Sequence, residues 1–150
     1  MGIDHVHCYL LPGPGGWTLV DTALGLPVVE ERWREALSGV EVARIVITHF
    51  HPDHVGAAAD VSELTGAPVA QGRLDYDQCV RVWGDEDWAG VLVTWFARHG
   101  VPPDVTHELI EQGSYYRPFI RYASGPDLLD AATGWTAGRS SRPPVTPTGR

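Results

Sequence analysis

The sequence predicts an α/β fold, a sheet with helices packed on it, and three observations carry that prediction. Strand-like and helix-like apolar patterns follow one another in the order β-β-α-β-α-β over the first half of the chain. One of these strands, "VARIVIT" at 42–48, is an almost continuous apolar run, as expected of a strand buried on both faces. The chain has 150 residues, 43% of them apolar and 20% charged, which suits a single domain with a real core.

The elements follow in order. "HVHCYLL" (5–11) closes on the turn signal "PGPGG" and is answered by "WTLVD" (17–21), which together read as a hairpin. "LPVVEERWREALSG" (26–39) puts Leu26, Val29, Trp33 and Leu37 on one helical face and stops at a glycine. The strand at 42–48 comes next, then a helix over "VGAAADVSELTG" (55–66), then a short strand "APVAQ" (67–71). From 73 to 112 the pattern is helical. Trp88, Val91, Leu92, Trp95 and Phe96 form an apolar stripe there, expected to pack as core or cover; the alternative is the wall of a substrate pocket. "GVPPD" (100–104) starts a further segment. The organisation expected is a partial domain over 1–133, with a ββαβαβ core at 1–72 and a helical insertion at 73–133. The Gly-, Ser-, Thr-, Pro- and Arg-rich tail at 134–150 is expected to be disordered.

The formal charge of −8 and the absence of a basic patch argue against binding to nucleic acid or to an anionic membrane. Cys8 and Cys79 lack any paired spacing, so they are expected to be buried free thiols. No basic start with a long apolar core marks a signal peptide, and no apolar run approaches the roughly 20 residues that span a bilayer. The expectation is a soluble cytoplasmic protein that acts on a small molecule.

"THFHPDHVG" (48–56) places three of the seven histidines and an aspartate within six positions, where the buried strand ends and a helix begins. Ligands collect at such carboxyl ends of strands in α/β sheets. His49 and His51 are two apart on extended chain and point the same way. Imidazole nitrogen and carboxylate oxygen suit zinc, and to a lesser degree iron or manganese. A metal here would lower the pKa of bound water to about 7. Asp53 could ligate a second metal, orient that water or take its proton. The plain alternative is a solvated strand-to-helix loop.

Thr48, His49, His51, Asp53, His54 and Gly56 form T-H-x-H-x-D-H-x-G, which resembles the signature of the metallo-β-lactamase fold superfamily, its glyoxalase II-like and lactonase-like members included. "HCYLL" resembles the family's first-hairpin strand, and "WTLVDTAL" its strand ending in Asp-Thr-Gly. Ala23 stands where the family has that glycine, so the path of this loop is open at this point. The likeness is good over residues 5–71, and the helical stretch resembles the family's variable cover. It implies the N-terminal half of an αββα sandwich with one or two zinc ions at one edge. His49 and His51 would serve the first metal and Asp53 and His54 the second, with Asp21 and Thr48 supporting them from behind.

The resemblance also implies a third histidine in a "TPGH"-like stretch, a bridging aspartate and a last histidine. None is identifiable. His99 and His107 lack the matching context, and Asp127 and Asp130 belong to no motif. His5 and His7 alternate on a strand and could bind metal, but a packed or solvated strand position is the expectation. Two or three ligands from one loop bind metal weakly. A sheet made to be covered on both faces would also expose apolar surface without its partner layer, leaving the chain marginal in solution or a homodimer. A shifted reading frame from the last base of the Trp135 codon permits a tail containing Thr-Pro-Gly-His-Thr after a strand-like Trp-Glu-Val-Val. The expectation is therefore a base gained or lost shortly before codon 135.

Three functions follow. The first is a zinc-dependent hydrolase, in which metal-bound hydroxide attacks a small ester, thioester, lactone or amide. The second is an iron-dependent oxidoreductase on the same fold. The third is a truncated, catalytically dead remnant that binds metal weakly.

Overall fold

The computed structural model describes residues 5–130. The tail at 134–150 and the reframed segment from 135 lie outside the described residues, as do 1–4 and the last three residues of the expected insertion. The strands are β1 (Tyr9–Gly13), β2 (Gly16–Val20), β3 (Val42–Ile47), β4 (Val69–Gly72) and β5 (Asp127–Leu129). They form one sheet in chain order, β1 antiparallel to β2 and every later pair parallel.

The expected hairpin forms, but pairing begins at Tyr9, opposite Val20, rather than at His5. Its turn leaves Gly16 at φ +117°, where a Cβ would lie 2.7 Å from the Glu41 carbonyl oxygen. The expected first helix is α1 (Pro27–Ala36), started by proline at its first turn. The helix expected at 55–66 is two: α2 (Pro52–Val55) and α3 (Ala58–Thr65). The break has a tertiary cause. The Ala57 N–H donates to the Ala23 carbonyl at 3.0 Å instead of continuing the helix. Gly56 beside it is pressed so close to β2's tail that a Cβ would sit 2.8 Å from Leu24 Cα.

Leu19, Ile45 and Val69 are cross-strand partners on one face of the sheet, with Ile47 two residues beyond Ile45. Val55, Ala58 and Val61 cover them, and Leu19, Ile45, Ile47, Val55 and Val61 are fully buried. Burying each Leu, Ile or Val contributes roughly 1.5–3 kcal/mol. The other face differs from the expectation for β3. Its row Tyr9–Val20–Val46 lies outside that core cluster; Val20 and Val46 are half-buried and Tyr9 is 57% exposed. Within the continuous apolar run, Ile45 and Ile47 are buried on the side where α2 and α3 pack, whereas Arg44 and Val46 on the opposite face are only half-buried.

Beyond β4 come α4 (Arg73–Gln78), a wider π-type turn (Cys79–Gly84), α5 (Trp88–Arg98) and α6 (Pro103–Tyr116). Trp88 is buried against Gly113 of α6, where a Cβ would overlap the indole, and the Arg117 guanidinium lies 5.6 Å over the same ring. Of the expected stripe, Leu92 and Phe96 are half-buried, while Val91 and Trp95 stay about half exposed. Val91 and Trp95 line a shallow depression of about 340 Å³ with Asp87 and Arg98. The helical reading to 133 missed β5, a three-residue edge strand fixed by its pairing with Ala70, Gln71 and Gly72 of β4. Cys8 is half-buried and Cys79 buried, both as free thiols. Among the described residues no helix is long and apolar enough to cross a membrane.

Candidate metal centre

The loop from Thr48 to His51 leaves the carboxyl end of β3 and enters α2 at Pro52. Beside it, the chain leaving β2 turns sharply at Asp21, whose φ is +62°. This puts the Asp21 carboxylate, only 4% exposed as a residue, beneath the loop. Asp21 Oδ1 accepts from the Thr48 N–H at 2.8 Å, and the Thr48 hydroxyl reaches Oδ1 at 3.0 Å and Oδ2 at 2.8 Å. His54 Nδ1 donates to Asp21 Oδ2 at 2.8 Å. Thr22 holds the same residue from the backbone, its N–H and hydroxyl both donating to the His54 carbonyl, at 2.9 and 3.0 Å. The Trp33 indole N–H donates to the Thr22 carbonyl at 2.9 Å and ties α1 to this corner.

These bonds settle which ring nitrogens are free. With Nδ1 donating to a carboxylate, His54 keeps its lone pair on Nε2. The Thr48 hydroxyl, donating to Asp21, accepts from His49 Nδ1 at 3.0 Å, which leaves the His49 lone pair on Nε2. That nitrogen lies 2.9 Å from His51 Nδ1. Two nitrogens bound to one tetrahedral zinc at about 2.0–2.1 Å stand roughly 3.3 Å apart, so the pair is close to ligand spacing. The His49 and His54 rings lie 4.1 Å apart, centre to centre. Burial first, and then the neighbouring His54 and His51, push the His49 pKa below its ordinary 6.5. Burial, helped by the negative Asp21, pushes the Cys8 thiol up to about 11, so Cys8 is a protonated packing residue at neutral pH.

The structure thus brings His49 and His51 together and joins His54 and Thr48 to Asp21. Asp53 stands to one side, its carboxylate 3.7 Å from His54 Nε2. Among the described residues no three His, Cys, Asp or Glu side chains converge as a metal-holding group. The other histidines are engaged elsewhere: His5 and His7 face each other at 5.0 Å, His99 stacks on Trp95 at 4.1 Å, and His107 lies 3.3 Å from Glu111. Asp130 lies 3.8 Å from Arg73, and Asp127 pairs through its backbone in β5. Sequence reasoning missed Thr22, Trp33 and Trp83 as supports of the loop. Thr22 adjoins Asp21 in "VDTA" and could have been found there. The tryptophans carry no local signal, since their bonds are tertiary.

Family comparison decides what this corner is related to: the model of the metallo-beta-lactamase superfamily matches residues 1–148. The chain belongs to the metallo-beta-lactamase superfamily. The match takes in both the stretch at 5–71, where the likeness read from the sequence is good, and the helical stretch read as the family's variable cover. Among solved structures, a metallo-beta-lactamase family protein, TTHA1429 from Thermus thermophilus, is similar at 31% identity and a TM-score of 0.63. The alignment covers 82% of this chain and 40% of that one. The chain therefore spans less than half the length of that superfamily member. BJP-1, a subclass B3 metallo-beta-lactamase of Bradyrhizobium japonicum, aligns at 27% identity and a TM-score of 0.42, over 51% of this chain and 30% of its own. TTHA1623 in a di-iron-bound form aligns at 26% and 0.43, over 63% and 44%. A search of curated proteins gave no match.

Proposed function

We propose that this chain carries the first-metal corner of a zinc-dependent hydrolase acting on a small ester, thioester, lactone or amide. The observation that carries the reading is the 2.9 Å approach of His49 Nε2 to His51 Nδ1. Two nitrogens aimed at each other at this distance share either one proton or one cation. The donor set therefore suits a borderline metal such as zinc. A zinc ion supplies Lewis-acid activation of water and of the substrate carbonyl. The chain's own part is to hold and orient. His49 and His51 offer the ligand pair, the Thr48 hydroxyl fixes the His49 tautomer, and Asp21 fixes that of His54. Asp53, 3.7 Å from His54 Nε2, would hold a second cation or act as a proton acceptor there.

Equilibrium dialysis with zinc followed by metal analysis tests this. Wild-type protein is expected to keep zinc and His51→Ala to lose it; equal zinc content in the two would sink the assignment. A second reading, a remnant that binds metal weakly and catalyses nothing, is favoured by the lack of a third converging side chain among the described residues. Loss of zinc from the wild-type chain on dialysis would select it.

A further inference from the structure

The helical cover reaches back to the loop between Thr48 and His51 through a side-chain hydrogen bond. The Trp83 indole N–H donates to the Phe50 carbonyl at 2.8 Å. That carbonyl belongs to the peptide joining Phe50 to His51, so the bond sets the tilt of the peptide plane from which the His51 side chain departs. The Phe50 and His51 rings lie 4.8 Å apart, and both Phe50 and Trp83 pack against the hydrophobic core. We propose that Trp83 is a positioning residue that sets the approach of His51 to His49 through the Phe50 carbonyl. This rests on the metal-site reading given above.

Trp83 is itself held. It sits in the π-type turn Cys79–Gly84, a conformation rare in helices and frequent at functional sites. Arg117 donates to the carbonyls of Val82, at 3.3 Å, and of Asp85, which brackets the tryptophan on both sides. Gly84 lies so close to Tyr122 that a Cβ would come 2.6 Å from the phenol oxygen. At the start of the turn, Cys79 is fully buried and its sulfur accepts from Gln71 Nε2 at 3.3 Å. A hydrogen bond between two anchored segments transmits position, so a small change in the cover becomes a change in histidine spacing.

Trp83→Phe keeps the ring and removes the donor. Zinc affinity, read by competition with a chromophoric chelator on folded protein, is expected to fall about 10-fold, the lower end for lost support of a metal ligand. The visible bands of the cobalt(II) form are expected to move, and the zinc-induced rise in Tm to shrink. Trp83→His, which keeps a ring N–H, is expected to recover part of the affinity. A metal-free Tm that drops while affinity and cobalt spectrum stay at wild-type values would overturn the proposal and make Trp83 a packing residue. Should Trp83→Phe fail to fold, the wild-type protein decides. Its Trp83 indole N–H resonance is expected to shift on adding zinc, and a stationary resonance overturns the proposal. A wild-type chain that takes up no zinc overturns the metal-site reading and this inference with it, a result distinct from equal affinity in both proteins.

Discussion

Asp21 Oδ2 and His54 Nδ1 stand 2.8 Å apart, joining the end of β2 to the metal loop across 33 positions of sequence. The same carboxylate takes the Thr48 N–H and hydroxyl, so one buried side chain orients a ligand candidate directly and His49 through Thr48. Asp21→Asn leaves the volume nearly unchanged but offers one acceptor oxygen in place of two. An amide NH₂ facing His54 forces the imidazole proton from Nδ1 to Nε2 and removes the lone pair meant for a metal. The expected outcome is zinc affinity lower by about 10–100-fold, measured by chelator competition. Wild-type affinity in this variant would remove Asp21 from the site.

Ala23 adopts φ +62°, a left-handed conformation that costs a residue with a Cβ about 1–2 kcal/mol. Its carbonyl is fixed there by the Ala57 N–H, so the backbone cannot relax. Ala23→Gly is expected to raise stability by about 1 kcal/mol, once the extra freedom glycine has in the unfolded chain is subtracted. Urea unfolding would show this as a higher midpoint at unchanged slope.

Gly56 has the opposite sensitivity. A methyl group there would meet Leu24 Cα at 2.8 Å and the Ala23 carbonyl oxygen at 3.0 Å, both of them backbone atoms. Gly56→Ala is expected to destabilise by roughly 1–3 kcal/mol, the usual range for overpacking. The same urea experiment measures it, and an unchanged midpoint would contradict the close approach of α2 to the β2 tail.

The lowered pKa of His49 gives a pH dependence with a definite sign. Burial and the neighbouring histidines disfavour its charged form in the folded protein. Just below pH 6.5 the unfolded chain therefore binds a proton that the folded chain refuses, and stability rises with pH through this window. As pH falls from 6.5 to the folded value this contribution is progressively lost. The ¹H–¹⁵N imidazole titration of His49 without metal should have its midpoint below 6.5; a midpoint at or above it would contradict the crowding of the three rings.

The core of the fold was legible because it is written in periodic patterns. The hairpin, the first helix and the β3 and β4 strands follow the apolar spacing to within a few residues. What escaped depends on tertiary contact. The split between α2 and α3 arises from Ala23 taking the Ala57 N–H, and β5 exists because β4 offers an edge. The partly open Val46 face could not be read from "VARIVIT", since residue type alone does not say which neighbours are present. At the candidate site, the histidine spacing foretold the meeting of His49 and His51. Asp21 was expected to stand behind the ligands. Its bonds to Thr48 and His54, and the indole that grips Phe50, come from elements far apart in the chain.

The parallel order of the sheet has a consequence for how the protein is born. The bonds that shape the metal loop span 27 to 33 positions, whereas those from Arg121 to Glu63 and Asp60 on α3 span 58 and 61. Loop-closure entropy separates such spans by only about 0.6 kcal/mol per doubling, so length alone does not order them. Synthesis does. At roughly 5–20 residues per second the ribosome delivers His54 several seconds before Asp127. The nascent chain can therefore knit the Asp21–His54 corner while β5 is still untranslated.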